Sequence, residues 1–355
     1  MKIAVGMSGG VDSSVAAFLL KQLGHDICGR TMRIWHGENS VPNARRHACY
    51  SPGEEEEIER ASDACARLGI RHHIFDLSKE YENTVLGYFK SEYKNGRTPN
   101  PCVVCNQRIK FGLLPGMALA SLDAEAFATG HYAKLGRGEK NRIILMKAKD
   151  TAKDQSYFLY RLGQEQLRTA MFPLGDMLKD DVKKIAREAG LPSWNEPESQ
   201  DFYDGSYSEL LGCADTPGEI VDTEGKVLGF HKGIWNYTVG QRRGLGIASG
   251  APLYVKAIDP AGNRIVAAYR EDTLRDSFVA ASFNWVSEDS LDGISAPTVK
   301  VRSSQKSVPC EAVMIDKTTV RVNLASAQGE IAAGQSAVLY SNNILIGGGT
   351  IEYES

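Results

Sequence analysis

The feature that most constrains the fold is a glycine-rich loop between an N-terminal strand and a helix. Lys2–Met7 is typical of a buried strand, and Asp12–Leu23 carries apolar residues at helical spacing before Gly24. The turn between them and the first residues of the helix read Ser8-Gly9-Gly10-Val11-Asp12-Ser13-Ser14. Two glycines let the backbone approach an anion closely, and the hydroxyls and the helix N-terminus complete a cradle. No Gly-Lys-Ser/Thr follows, so this is not a Walker A loop, but it predicts phosphate binding at the first strand-to-helix turn.

Beyond this loop, strand and helix patterns alternate up to about residue 200. We expect strands at Asp26–Met32, Arg71–Asp76 and Ala124–Thr129 and a helix at Asp180–Ala189. Such alternation predicts an α/β fold with a doubly wound parallel sheet. After residue 205 short β-rich runs with turn signals predict a small central domain and then a C-terminal β-barrel. We place the domains at residues 1–205, 206–275 and 276–355.

The charge balance limits the ways in which this chain could bind a polyanion such as RNA. Its 355 residues hold 41 Lys and Arg against 44 Asp and Glu, a net charge of −3. This excludes a uniformly basic nucleic-acid binder, so RNA would need a local basic patch. One candidate segment combines two acids with these basic residues: Lys134, Arg137, Lys140, Arg142, Lys147, Lys149 and Lys153. The alternative is a solvated hairpin with charged edges. Arg242-Arg243 in a glycine-rich loop is a second candidate.

The cysteine count and the hydropathy exclude two further classes of protein. Seven cysteines, an odd number, are scattered over a long chain, which argues against a disulfide framework. No stretch approaches the roughly 18 apolar residues of a membrane span, so we expect no membrane partner. Because Met1–Gly6 reads directly into a strand without a signal peptide, a cytoplasmic location is expected.

Several strings downstream of the loop narrow the function. They are Arg97–Asn106 (RTPNPCVVCN), Ile109–Gly112, Ala128–Ala133 (ATGHYA), Lys153–Leu159 (KDQSYFL), Phe172–Gly175, Ala189–Pro192, Thr238–Gly246 (TVGQRRGLG) and Gly347–Ile351. The loop itself resembles that of the N-type ATP pyrophosphatases, which adenylate a substrate carbonyl and release pyrophosphate. Together the strings, in order and spacing over essentially the whole chain, resemble the tRNA-specific 2-thiouridylases.

The resemblance implies an enzyme that uses ATP and Mg²⁺ to adenylate O2 of the wobble uridine of tRNA, after which sulfur displaces AMP. It implies a PP-loop ATP pyrophosphatase domain, a small central domain and a barrel that helps to hold tRNA. The implied ATP-binding residues are Gly6, Met7, Ser8, Gly9, Gly10, Val11, Asp12, Ser13, Ser14, Met32 and Gly130, with Asp12 also near the metal. The implied tRNA-binding residues are Asn100, Pro101, Lys153, Asp154, Gln155, Arg242, Arg302 and Ser303.

A sulfur donor, either sulfide or a sulfur-relay protein, is a further implied partner. Two alternatives to this function are open: thiolation of another tRNA uridine, and a tRNA-binding relative without catalytic activity. The intact phosphate loop argues against the second, because a pure binder has no need for it.

The sequence departs from the family at its two catalytic cysteines. Cys105 matches the first, and Cys102 replaces the usual aspartate, which creates a Cys-Val-Val-Cys pair. The second is missing: after Glu198–Asp201, the expected Ile-Cys-Phe reads Phe202-Tyr203-Asp204. The nearest cysteine further along the chain is Cys213.

Three interpretations of these cysteines are open. Cys105 is a sulfur carrier with Cys102 as its resolving thiol, favoured by a helix start that lowers a thiol pKa. Alternatively, Cys102, Cys105 and Cys213 bind a [4Fe–4S] cluster whose open iron carries sulfide. In the third, the pair is half of a zinc site. The other cysteines, Cys28, Cys65, Cys310 and the loop residue Cys49, are expected to be unreactive, and His131 is expected to orient backbone.

Overall fold

The computed structural model describes residues 1–35, 48–122, 124–138, 141–192, 194–195, 202–203, 205 and 207–353. The strands of the N-terminal region are β1 (Lys2–Gly6), β2 (Asp26–Arg33), β3 (His72–Asp76), β4 (Ala126–Ala128), β5 (Ala133–Arg137), β6 (Ile143–Lys147) and β7 (Ala170–Met171). Its helices are α1 (Val11–Gln22), α2 (Glu54–Arg67), α3 (Ser78–Tyr81), α4 (Gly87–Lys94), α5 (Pro101–Cys105), α6 (Leu114–Leu122), α7 (Gln164–Thr169) and α8 (Lys179–Glu188). Glu82–Leu86 and Asn106–Leu113 are π-helical, and Ser156–Leu159 is a 3₁₀ turn.

The N-terminal sheet is parallel, in the order β3-β2-β1-β4-β7. Its central strand β1 is covered on both faces, since Ile3 and Val5 pack into one apolar cluster and Ala4 into another. Successive side chains of a strand point to opposite faces, so two clusters are what a doubly wound sheet requires. The prediction of this α/β fold is therefore confirmed.

The central region begins with α9 (Tyr207–Leu211) and contains the strands β8 (Gly218–Val221), β9 (Val227–His231), β10 (Tyr254–Asp259) and β11 (Arg264–Ala268). These strands form a separate sheet in the order β10-β11-β8-β9, and the short 3₁₀ turns Ile234–Asn236 and Glu271–Thr273 flank it. A small apolar cluster that includes Ile220, Val255 and Ile265 forms its core.

The C-terminal region is the β-barrel that the sequence predicted. Its strands are β12 (Arg275–Trp285), β13 (Thr298–Lys300), β14 (Val308–Asp316), β15 (Thr319–Gln328), β16 (Ser336–Ser341) and β17 (Ile344–Glu352). They pair in the order β12-β15-β14-β13-β16-β17, and β12 also pairs with β17, which closes the barrel. The β5–β6 hairpin extends the barrel sheet through the pairing of Met146 with Ile344.

The barrel also holds the segment that leads into α5. Arg97 contacts both carboxylate oxygens of Glu352, at 2.6 and 2.5 Å, and its Nε donates to Glu92 at 2.8 Å. Gln335 Nε2 donates to the carbonyl of Pro99 at 3.0 Å. These bonds fix the backbone immediately before Cys102.

No helix in the described ranges is long and apolar enough to cross a membrane.

Candidate active site

The phosphate loop is folded tightly between β1 and α1. Gly9 has φ +78, and a Cβ at this position would lie 2.2 Å from the carbonyl oxygen of Glu57 in α2. The Ser13 hydroxyl donates to the carbonyl of Gly10 at 3.1 Å and lies 3.2 Å from the backbone N–H of Ser8, which donates to it. The Ser14 hydroxyl also donates to Gly10, at 3.0 Å. The loop is thus preformed, and glycine is required at position 9.

Gly130 packs closely against the start of α1, on the other side of the phosphate loop. Gly130 follows β4, and a Cβ there would lie 2.7 Å from the Asp12 carbonyl carbon and 2.7 Å from the Ser13 nitrogen. Both the loop and this glycine border one cavity. A side chain at Gly130 would push the helix start out of place.

The carboxylate of Asp12 is held by a lysine that the sequence did not single out. Lys179, at the start of α8, contacts its two oxygens at 2.7 and 2.8 Å, and the Tyr132 hydroxyl donates to it at 2.9 Å. The Lys179 side chain is only 6% exposed. Asp12, implied by the family resemblance to lie near the metal, therefore forms a largely buried ion pair here.

A cavity of about 340 Å³ joins the phosphate loop to the cysteine pair. Gly6–Ser13, Met32 and Gly130 border it on the nucleotide side, whereas Ser14 turns its hydroxyl to the backbone. Pro101, Cys102, Cys105 and Gln155 border it on the other side. Its lining also includes residues to which the sequence assigned no part in the reaction: Arg30, Cys49, Arg60, Asn106, Lys110 and His131.

The environment of the cysteine pair differs from the expectation of an activated thiol. Burial raises the pKa of Cys105 to about 11, and the nearby Lys110 charge only partly opposes this. Burial also acts to lower the pKa of the Lys110 ammonium, but Cys105, Cys49 and Cys102 outweigh it and raise that pKa. The helix start therefore does not suffice to activate Cys105 in this conformation.

His131 is a neutral hydrogen-bonding group. Burial, together with the Lys110 charge, lowers its pKa to about 3. Its Nδ1 lies 2.8 Å from the Thr129 hydroxyl. An imidazole with this pKa carries no charge near pH 7, which suits an orienting role rather than that of a charged acid.

Asn106 adds a polar atom to the cavity next to Cys105. The residue is 4% exposed, and its Nδ2 donates to the carbonyl of Phe158 at 3.2 Å. Its Oδ1 is buried and has no hydrogen-bond partner among the described residues. Because buried acceptors are normally satisfied, an acceptor without a partner in a residue that lines the cavity is a candidate to receive a donor from a ligand.

Some of the residues expected to touch tRNA form hydrogen bonds within the protein, and others are exposed. Asn100 is buried and donates to Ser336 of the barrel at 3.3 Å, and Arg302 donates to Val239 of the central region at 3.0 Å. Gln155 accepts from the backbone of Tyr132, and Asp154 from that of Ala148. Arg242 and Ser303 are exposed, and Lys153 is half-buried.

The basic hairpin is also partly committed to internal contacts. Lys134 pairs with Asp176 at 2.5 Å, and Arg142 Nε donates to the Val286 carbonyl at 3.0 Å. The Lys147 ammonium lies 4.2 Å from the centre of the Tyr340 ring. Lys140, another member of the predicted patch, lies outside the described residues.

The structure does not bring Cys213 to the cysteine pair. Cys213 is half-buried after α9, where its thiol lies 3.7 Å from the Leu211 carbonyl, and it does not border the cavity. Within the described ranges, no group of three or more His, Cys, Asp or Glu side chains is arranged to hold a metal ion. These positions do not fit a [4Fe–4S] cluster bound by Cys102, Cys105 and Cys213. Residues 198–201, before the site of the missing cysteine, lie outside the described residues, but Phe202 borders the cavity.

Comparison with known families agrees with this architecture. Residues 1–203 match the family model described as the tRNA methyl transferase HUP domain. Residues 211–268 match the tRNA methyl transferase PRC-barrel domain, and residues 275–351 the aminomethyltransferase beta-barrel domain.

Curated relatives match over almost the full chain. The tRNA-specific 2-thiouridylase MnmA of Endomicrobium trichonymphae is 44% identical over 356 residues, which cover 99% of both chains. The enzyme of the same name from Clostridioides difficile (strain 630) is 39% identical over 359 residues, covering 99% of this chain and 98% of its own. A solved 4-thiouridine synthetase–RNA complex with bound ATP is similar over 60% of this chain and 46% of its own, with 18% identity and a TM-score of 0.37. By its family model and its relatives, this chain belongs to the tRNA-specific 2-thiouridylase family.

Proposed function

We propose that this protein is an ATP-dependent tRNA sulfurtransferase that replaces O2 of the wobble uridine with sulfur. One observation carries the proposal: a single cavity joins the phosphate loop Ser8–Ser13 to Cys102 and Cys105. A reaction that first adenylates a base and then transfers sulfur to the same carbon needs both groups at one place. The full-length similarity to 2-thiouridylases supports the same activity.

In this proposal ATP lies with its phosphates on the loop and its adenine near Met32. The uridine O2 attacks the α-phosphate and pyrophosphate leaves, while the loop amides and the start of α1 stabilise the charge on the leaving group. With Mg²⁺ bound to the nucleotide, the phosphates held by Ser8–Ser13 would carry less negative charge, which would ease the departure of pyrophosphate. Since Lys179 engages both oxygens of Asp12, we assign no step to a metal–Asp12 bond.

The uridine base is placed against Asn106. Its buried Oδ1 lacks a donor among the described residues, and N3 of uracil carries an N–H, whereas N3 of cytosine carries none. An acceptor at this position thus favours uracil. A base must leave the anticodon stack to reach it, as is usual for enzymes that modify bases.

Sulfur is delivered at the Cys102/Cys105 centre. Cys105 carries the sulfur as a persulfide, whose outer sulfur is transferred from the persulfide of a sulfur-relay protein that is left as a thiol. Since Cys213 lies away from the cavity, we route no step through an iron–sulfur cluster.

We assign tRNA binding to the exposed groups Arg242 and Ser303, to Lys153 and to the α5 segment that begins at Pro101. Asn100, Asp154, Gln155 and Arg302 support this surface through their internal bonds. We propose the same division of the chain as the sequence predicted: residues 1–205 for ATP chemistry, 206–275 as the small central domain and 276–355 as the tRNA-binding barrel.

ATP–pyrophosphate exchange with and without unmodified tRNA tests the proposal. We expect the wild-type protein to catalyse exchange only when tRNA is present, and Cys105→Ser to retain this exchange but to form no thiolated tRNA. In Asn106→Leu we expect thiolation of uridine to fall about 10- to 100-fold, the range for an unpaired buried hydrogen-bonding group. Absence of exchange would indicate a tRNA binder, and exchange without tRNA would indicate a different acceptor. Mapping the modified nucleotide separates the wobble position from another uridine.

A further inference from the structure

We propose that Cys49 is the resolving thiol of this enzyme, in the place of the second cysteine that the sequence lacks. The inference rests on the proposed function and names a residue for its second half, the release of thiolated tRNA from Cys105. From the sequence, Cys49 was expected to be unreactive; it lies in a loop more than fifty positions before Cys105.

The first observation is the position of Cys49 on the cavity wall. It borders the same space as Cys102, Cys105 and the phosphate loop. Cys49 itself is exposed, while its neighbours Ala48 and Tyr50 are 1% and 5% exposed. The flanking side chains therefore anchor the loop in the core and leave the thiol accessible from the cavity.

The second observation links Cys49 to the site of the missing cysteine. The backbone N–H of Tyr50 donates to the carbonyl of Phe202 at 3.0 Å, and the two rings lie 6.4 Å apart. Tyr203 stands where the family pattern places cysteine. Cys49 precedes Tyr50 and Tyr203 follows Phe202, so each is one residue from this backbone hydrogen bond. The thiol of Cys49 therefore lies on the segment bonded to the one that lacks the family's second cysteine.

The third observation is that two cavity groups lie close to all three cysteines. Burial, and then Cys105, Cys49 and Cys102, raise the pKa of the Tyr81 hydroxyl. The same three thiols raise the pKa of Lys110 against the effect of burial. Because such effects fall off with distance, they agree with the position of Cys49, Cys102 and Cys105 around the same cavity as Tyr81 and Lys110.

The terminal sulfur of the Cys105 persulfide attacks C2 of the adenylated uridine, the C2–O bond breaks, and AMP leaves with its electron pair. Cys49, having lost its proton to solvent, then attacks Sγ of Cys105. The bond from Sγ to the transferred sulfur breaks, its electron pair stays with that sulfur, and 2-thiouridine is released. An external dithiol reductant supplies two electrons to reduce the resulting Cys49–Cys105 disulfide.

The test compares Cys49→Ser, Cys102→Ser and the control Cys310→Ser, whose half-buried thiol lies in the barrel away from the cavity. Each protein is loaded with persulfide sulfur and given ATP and unmodified tRNA, with and without dithiothreitol. We expect Cys310→Ser to keep tRNA-dependent pyrophosphate exchange within twofold, and Cys49→Ser, without dithiothreitol, to trap tRNA in a disulfide adduct with Cys105. Dithiothreitol should release the adduct, and wild-type protein after one turnover should contain a Cys49–Cys105 disulfide by peptide mass spectrometry.

Two results would overturn the role of Cys49. One is normal release by Cys49→Ser, equal to Cys310→Ser, with the adduct forming in Cys102→Ser instead. The other is loss of bound iron together with activity in Cys49→Ser, which would make Cys49 a cluster ligand. Absence of exchange from the wild-type protein would refute the proposed function itself, so the two failures are distinguishable.

Discussion

At the scale of single residues, Gly9 shows how little room the phosphate loop leaves. Gly9→Ala would place its Cβ 2.2 Å from a backbone oxygen of α2, so the loop or the helix must move. We expect tRNA-dependent pyrophosphate exchange to fall at least tenfold. Gly24→Ala is the matched control, because Gly24 has nearly the same φ, +79, but open space around its Cβ position. Equal losses in the two variants would show that backbone strain, not the clash, is responsible.

The sequence predicted some of the residues around the cavity and missed others. The loop motif Ser8–Ser14, with Met32 and Gly130 from the family resemblance, was expected to bind ATP, and all of these residues except Ser14 border the cavity. Cys49 was not assigned, because it joins the site only through tertiary contacts with segments far along the chain. Asn106 and Lys110 follow Cys105 closely in the sequence, but the sequence does not show that they border the cavity. A thiol in a loop and an amide in a helix look ordinary until the partner surface is known. The buried, unpartnered Oδ1 of Asn106 becomes visible only after folding.

At the scale of elements, the start of α2 contains a carboxyl group with a shifted pKa. Glu54 accepts backbone bonds from Ile34 at 2.7 Å and Trp35 at 2.9 Å, yet burial outweighs these bonds and raises its pKa to about 7. The folded-state pKa lies above the unfolded value, so folding favours the protonated form. The stabilisation it gives is complete below about pH 4.5 and is lost as the pH rises through about 7.

Glu54→Gln tests this linkage because glutamine stays neutral. We expect the free energy of unfolding of the wild type, relative to the variant, to fall by an amount on the order of 3 kcal/mol between pH 4.5 and pH 8. Chemical unfolding at several pH values measures it. A difference between the two proteins that is constant with pH would contradict the assignment.

Element boundaries were predicted where the periodicity was strong. The helix expected at Asp180–Ala189 is found at Lys179–Glu188, and the strand expected at Arg71–Asp76 at His72–Asp76. The pairing of the β5–β6 hairpin with the barrel was not predicted. Local patterns define a hairpin but not the distant strand whose edge it meets, here β17.

At the scale of the whole molecule, the barrel and the N-terminal region are linked beside the cysteine pair. The Arg97 side chain is 25% exposed and that of Glu352 35%, so their pairing is expected to contribute only about 1 kcal/mol. Glu352→Gln should lower the thermal midpoint by a few degrees and reduce thiolation more than pyrophosphate exchange, since it loosens the backbone before Cys102. The control is Glu219→Gln, from a more exposed pair with Arg264 at 3.4 Å. Equal effects on both activities would contradict this linkage.

One cavity is proposed to carry out both adenylation and sulfur transfer on the wobble uridine. Mass spectrometry of nucleosides and fragments from unmodified tRNA, incubated with the protein, ATP, a persulfide donor and dithiothreitol, tests it most directly. We expect 2-thiouridine at the wobble position, dependent on ATP and absent with Cys105→Ser. Formation of 2-thiouridine by Cys105→Ser at the wild-type rate, or none with the wild-type protein, would contradict it.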